Sequence, residues 1–360
     1  MVPDPAENTP CTPHYFWTAR DQYWWCVYTS FKFYTAYVNM AKSAATLPRF
    51  NELPDGSAWG VWDTEGYRDA LGTLNHLTSE TKIEAAKEVK DGISVSLNWA
   101  LDKPHRPVFD RQQLEHKIVD NSLFSQSMSF DDVLSFNTQS SSQWDGLRHV
   151  IHRQTGLLYN GVTKDEVFNT TKLGLQSWHE IGGIVGRGVL IDYVAYAARH
   201  KIEYSPTDYH AITLQEIQQA AEEQGVEFRR GDILLVRSGL IKWYNDCEDH
   251  KSRDEYFVRP DKKGVGVAPD PETVAWVWNQ GFAAVAGDAL AWEPIPYPAS
   301  SPSFHQYLLA LWGTPIGELW DLEGLARTCA RLGRYSFFLS SISLNVPGGV
   351  ASPPNALAVF

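Results

Sequence analysis

The run NTQSSSQWDGLRHVIH, residues 137–152, concentrates side chains able to hold a cation, position a water or move a proton. Gln139, Gln143, Asp145 and His149 stand at relative positions 0, +4, +6 and +10. In extended or bulged backbone, even spacing sends side chains to one side. Oxygen donors beside an imidazole could then bind a divalent ion or activate a water. Trp144 flanks Asp145 and is the tryptophan expected to touch a substrate. On residue types alone, a Ser/Gln-rich surface loop is the better account of this run.

Elements able to position such residues alternate along the chain from Trp59 onward. TSETKIEAAKEVKDG (78–92) opens on a Thr/Ser cap and closes on glycine, which predicts a helix, and ISVSLNWAL alternates as a strand. TLQEIQQAAEEQGVEF predicts a second capped helix ending at Gly225. RRGDILLVRSGL and FAAVAGDAL (282–290) read as buried strands, the latter with Asp288 at its carboxyl end. SFFLSSISLN (336–345) alternates as a strand near the C-terminus. GIVGRG (183–188) lacks the dinucleotide-binding spacing and reads as a turn into the strand GVLIDY. The charged stretch 245–264 reads as a solvated excursion, and PYPASSPSF (296–304) as a loop. The order is mixed αβ without a regular βαβ repeat.

Composition narrows the function classes. With 43% apolar and 21% charged residues, the 360-residue chain has the balance of a soluble globular protein. A net charge of −12 argues against a nucleic-acid partner. Cys11, Cys26, Cys247 and Cys329 lie far apart, which fits a reducing compartment rather than a disulfide framework. The expected location is cytoplasmic, with no membrane span. The aromatic-rich residues 1–45 show neither helical nor strand periodicity and are expected to be an extension outside the core. Residues 1–39 have the look of a misread gene start, and 46–360 are expected to form a single catalytic domain.

Five segments, in order, resemble the cyclase family, which includes bacterial kynurenine formamidase and isatin hydrolase. ALGTLNHLT resembles the family's L-G-T-x-N-x-L-T, GRGVLID its K-G-V-L-I-D, and GDILLVRSGL its G-D-x-L-L-x-R-T-G. AVAGDAL followed by FHQYLLALWGTPIGELWDLEGL resembles the segment that supplies a second histidine and a glutamate. The signature H-x-G-T-H-x-D-x-P-x-H falls on Gln139 through His149, with Asp145 and His149 kept, both leading histidines replaced by glutamine and proline by Leu147. The resemblance implies an α/β fold with a mixed β-sheet, barrel-like core and flanking helices (the swivelling β/β/α type), in a homo-oligomer. It implies Asp145, His305, Glu318 and Gln143 as metal ligands, with Glu323 an alternative at the glutamate position. Exchanging imidazole for carboxamide weakens a zinc site, so the expected cofactor is one weakly held divalent ion (Mn, Mg or Zn) or none. His149 and Asp145 are the expected catalytic residues, and Gln139, Gln143 and Trp144 the substrate contacts. Arg187, Tyr159 and Asn160 are weighed as substrate contacts and read as structural. The implied activity is hydrolysis of an amide, lactam or lactone carbonyl in a small cyclic or aromatic compound. The alternatives are a metal-independent cyclase, isomerase or hydro-lyase, or a small-molecule-binding protein without turnover.

Overall fold

The computed structural model describes residues 47–123, 128–297 and 302–360. The N-terminal extension read from the sequence, and part of the 296–304 loop, lie outside them. Leu47–Phe360 make up one compact unit.

In chain order the strands are β1 (Ser94–Ser96), β2 (Glu115–Asp120), β3 (Phe130–Ser135), β4 (Gln143–Asp145), β5 (Ile184–Asp192), β6 (His210–Ile212) and β7 (Ile233–Arg237). They are followed by β8 (Val265–Val267), β9 (Ala284–Gly287), β10 (Ile316–Glu318), β11 (Ser336–Ser341), β12 (Ala351–Ser352) and β13 (Ala356–Val359). Nine of them form one curled, half-barrel sheet ordered β1-β13-β11-β5-β7-β9-β10-β4-β12. The central β5, β7, β9 and β10 run parallel, and both flanks are antiparallel. This is the mixed α/β fold expected. β2–β3 and β6–β8 form two small separate sheets.

Central strands covered on both faces must be apolar throughout. In β5 and β7, Val189, Ile191, Leu234 and Val236 join a cluster that includes residues of the helices Tyr193–His200, Leu214–Glu223 and Pro271–Gln280. The alternate residues Leu190, Ile233 and Leu235 join a second cluster that includes residues of the helix Glu323–Leu332. The capped helices appear where expected: Thr78 caps Ser79–Ala86, and Thr213 caps Leu214–Glu223 in a full capping box.

Two expectations are corrected. The 245–264 stretch is not merely solvated, because the helix His250–Val258 buries Arg253, Tyr256 and Phe257. GIVGRG is not a turn before a strand, since β5 already begins at Ile184. Gly188 explains its glycine: a Cβ there would lie 2.3 Å from the Phe337 ring.

Candidate active site

Strands β4 and β10 build the floor of the site. Their register sets Gln143 opposite Glu318 and Asp145 opposite Ile316, so alternation puts Gln143, Asp145 and Glu318 on one face. Trp144 points the other way, opposite Gly317, where an added Cβ would come within 2.8 Å of the Trp320 ring. It is fully buried between Trp178 and Trp320 and donates from Nε1 to Ser341 Oγ at 2.8 Å. The substrate contact expected of Trp144 is therefore corrected, because its neighbours at even spacing take the site face. The expected surface loop is corrected too: residues 140–147 are all buried.

Gln139 donates from Nε2 to Asp145 Oδ1 at 2.7 Å, and that nitrogen lies 3.3 Å from both ring nitrogens of His149. Gln143 Nε2 donates to Glu318 Oε2 at 2.8 Å and more weakly to Asp145 Oδ1 at 3.4 Å. Each amide thus clamps one oxygen of a carboxylate and leaves the other free. Asp145 Oδ2 and Gln143 Oε1 are buried without a hydrogen-bond donor, and Glu318 Oε1 has only His305 Nε2 beside it. Buried polar atoms are otherwise satisfied in folded proteins.

His305 completes the cluster from the other side of the sequence. It stands at the entry of a π-helical turn, Gln306–Trp312, a geometry frequent at functional sites. Its Nε2 lies 3.1 Å from Glu318 Oε1 and 3.8 Å from Asp145 Oδ2. Its Nδ1 is 2.8 Å from both oxygens of Glu293, which also accepts from the His305 backbone N–H. A carboxylate on Nδ1 fixes the imidazole with Nε2 inward, the usual support of a metal-binding histidine. His149 Nε2 lies 3.7 Å from Asp145 Oδ2, and its side chain keeps 23% exposure against 0% for Asp145. Ligand atoms of Asp145, His149 and His305 fall within 4.8 Å of one another.

The electrostatics follow from burial and crowding. Burial and the neighbouring Asp145 charge push Glu318 up to about 7. Burial opposes the imidazolium of His305, yet the charges of Glu293 and Glu318 outweigh it and raise His305 well above the ordinary histidine value. Burial holds His149 below its ordinary value despite Asp145, so it is neutral near pH 7. Three carboxylates and two imidazoles around bare oxygens form a cage suited to a divalent cation with a basic imidazole at its mouth.

Every residue expected at the site except Trp144 is brought together here. Glu323 is elsewhere, paired with Arg237. Arg187 is held by Glu88 and Asp232, Tyr159 donates to Asp69, and Asn160 to Asp63, so all three are structural. Sequence reading missed Glu293, whose signal was an acidic residue inside the apolar run AVAGDALAWEPI. It also missed Arg111, whose Nη1 donates to Gln139 O at 2.8 Å.

A half-barrel sheet with a buried Asp/Glu/His cluster on one face defines a class of α/β proteins built around a candidate cation centre. A model of the cyclase family matches residues 75–294, more than half of the chain, and the chain belongs to that family. It is similar to the crystal structure of a novel cyclase, 32% identical over 84% of this chain and 99% of that one, with a TM-score of 0.73. Isatin hydrolase A from Ralstonia solanacearum shares the fold at 15% identity, covering 79% of this chain and 98% of its own, with a TM-score of 0.53. An isatin hydrolase bound to the product analogue thioisatinate shares it at 15% identity, 79% and 99% coverage and a TM-score of 0.51. Comparison with curated proteins gives no match. Among the described residues, no helix is long and apolar enough to cross a membrane.

Proposed function

We propose that the chain is a hydrolase acting on an amide, lactam or lactone carbonyl of a small cyclic or aromatic compound, assisted by one divalent cation. One observation carries the reading: Asp145 Oδ2 and Gln143 Oε1 are buried without donors, and Glu318 Oε1 has only His305 Nε2 beside it, a nitrogen that also faces Asp145 Oδ2. In a metal-free pocket Asp145 Oδ2 and Gln143 Oε1 would stay uncompensated, which folded proteins rarely tolerate. Asp145, Glu318, His305 and the carbonyl of Gln143 would hold the ion. Three oxygens and one imidazole suit Mn²⁺ or Mg²⁺ better than zinc.

Such an ion supplies carbonyl polarisation and a more acidic water when bound. The protein does the rest. Glu293 fixes the tautomer of His305, and the amides of Gln139 and Gln143 hold the two carboxylates with one oxygen each turned inward. His149 is left for proton transfer, since the four donors above do not require it and it is the more exposed imidazole of the pair. Neutral at pH 7, it accepts the proton of the attacking water and returns it to the leaving nitrogen or oxygen.

The isatin hydrolases act on a lactam, as their name says, and share this fold, which supports the substrate class without fixing the compound. The test is elemental analysis of the purified protein with a turnover panel of lactams, lactones and aryl formamides, before and after chelation. We expect turnover of a panel member, lost on chelation and restored by Mn²⁺. Turnover indifferent to chelators would overturn the cation-assisted reading, and a silent panel the hydrolase reading. We further infer a homo-oligomer, supported by the β2–β3 hairpin, whose Ile118, Phe130, Val133 and Leu134 are all exposed. A two-stranded hairpin alone is marginal in water and gains from a covering surface. Light scattering showing only monomer at micromolar concentration would refute this.

A further inference from the structure

Arg111 has no role in the chemistry above, yet the fold takes trouble to place it. It follows two consecutive non-glycine residues in the left-handed region, Phe109 at φ 59° and Asp110 at φ 52°. A bulky side chain seldom adopts that conformation, and such outliers cluster where side chains must be aimed. Val108 anchors the turn: it is buried in one cluster with Tyr244, Phe257 and Leu319, and Leu319 directly follows Glu318 of the site floor. The strained turn is thus tied to the strand that carries a candidate ligand.

From this turn the guanidinium reaches the site. Its Nη1 donates to Gln139 O, and the Gln139 side chain in turn holds Asp145 and lies against the ring of His149. The charge of Arg111 is felt at His149. The guanidinium lies over the ring of Phe109, 5.3 Å from its centroid, and Phe109 is 60% exposed. Beyond the bond to Gln139, the other N–H groups of Arg111 have no partner among the described residues. Arginine carries a planar fork of donors that matches a carboxylate with two parallel bonds. The remaining ionisable groups of the site are three carboxylates and two imidazoles, so Arg111 adds a permanent side-chain cation at the rim.

We propose that Arg111, presented over Phe109, is the anion-binding residue of this site, and that the site selects small aromatic compounds carrying a carboxylate. The assignment deepens the hydrolase reading and rests on the same pocket. Hydrolysis of an amide, lactam or lactone also leaves a carboxylate on the acyl side, so Arg111 is placed to hold product as well as substrate. Phe109 supplies the aromatic face and Arg111 the fork. Neither touches the cation cage directly.

The test is calorimetric and needs no turnover. Benzoate and its neutral isostere benzamide are titrated into the full chain, with Mn²⁺ and again after chelation. The wild type is expected to bind benzoate at least tenfold more tightly than benzamide in both conditions. Arg111→Met should remove that preference and leave benzamide affinity within about twofold, while Arg111→Lys keeps the charge without the fork and should fall between. Arg331→Met, on an exposed position of the helix Glu323–Leu332, should change nothing. Near-UV circular dichroism checks each fold. Should Arg111→Met fail to fold, Arg111→Lys decides, since an unchanged preference in it counts against the fork.

Equal wild-type affinities, no detectable benzoate binding, or a preference surviving in Arg111→Met would overturn the assignment. A preference that vanishes on chelation would place the carboxylate on the cation instead and would also overturn it. A silent turnover panel with the benzoate preference intact would strike the hydrolase reading alone. Turnover without the preference would strike this assignment alone.

Discussion

Two of the clusters of buried charge at the sheet are built on opposite principles. At the carboxyl ends of β5 and β7, Arg237 donates from Nη1 to Asp192 and pairs through Nε and Nη2 with both oxygens of Glu323. Next to it, Asp288 accepts from Ser238 N, Ser238 Oγ and Gly239 N. None of the buried side-chain polar atoms of these residues lacks a partner, and the cluster is a closed framework. On β4 and β10, by contrast, Asp145 and Gln143 each keep one buried oxygen without a donor, and Glu318 Oε1 has only His305 beside it. Both clusters bury acids in low dielectric, where an unpaired charge is costly. One is completed by its own residues, and the other is not. A buried carboxylate is therefore no sign of function by itself. The sign is a carboxylate held firmly by one oxygen and bare at the other.

The largest effect that can break this contrast lies at the mouth of the open cluster. His149→Ala should lower kcat by about 10²–10⁴-fold, the usual worth of a general base, and leave Mn²⁺ affinity nearly intact. Asp145→Asn should instead abolish cation binding, read by calorimetry. If His149→Ala loses the cation as completely as Asp145→Asn does, His149 is a ligand and the division of roles is wrong.

In the closed cluster the expectation concerns stability. Arg237→Met removes the only cation bonded to both Asp192 and Glu323 among the described residues and leaves the buried Asp192 and the half-buried Glu323 without it. It should destabilise the fold by about 3–5 kcal/mol, read by denaturant titration. A loss below about 1 kcal/mol would mean that this network is as incomplete as the site.

Glu318→Gln should act in the opposite direction. Burial and Asp145 raise the folded-state pKa of Glu318 to about 7 from its ordinary 4.5. Between those values the folded state binds the extra proton, so stability falls as pH rises through the window. At pH 8 the ionised wild type bears the whole penalty. The amide variant escapes it and, free of metal, should be more stable by roughly 1–3 kcal/mol. That advantage should fade below about pH 4.5, where both chains are neutral at 318. A variant that melts lower than wild type at pH 8 without metal would show that the site is not strained.

Much of this was legible in the residues. Period-two alternation marked β1 and β11, buried apolar runs marked β7 and β9, and Thr caps marked two helices, because these signals are local. The even spacing of Gln139, Gln143, Asp145 and His149 was legible for the same reason, as was the likeness that brought in His305 and Glu318. Trp144 was misread although the same alternation sends it to the core, where Trp178 and Trp320 receive it. Glu293 and Arg111 were missed, because what gives them meaning is three-dimensional. One lies against the ring of His305, twelve positions on, and the other reaches a carbonyl twenty-eight positions away. Whether a buried acid is closed or open is likewise decided by partners far off in the chain.

Histidines extend the comparison and give its smallest measurable effect. His305 is buried among carboxylates and held above its ordinary pKa, whereas His76 is buried against Trp62 with Arg230 as its charged neighbour. Burial first, and then Arg230, lower His76 from 6.5 to about 3. The unfolded chain therefore takes up a proton at 6.5 that the folded chain refuses until about pH 3. Stability must fall as pH drops through that window, by up to about 1.4 kcal/mol per pH unit from this one group. His76→Phe keeps an aromatic ring beside Trp62 but cannot titrate, so its melting temperature should fall less than that of wild type between pH 7 and pH 5. Parallel pH profiles for the two proteins would show that His76 is already protonated in the fold. The distinction would then fail, because a buried imidazole with no carboxylate among its charged neighbours would be behaving like the one that the site holds between two.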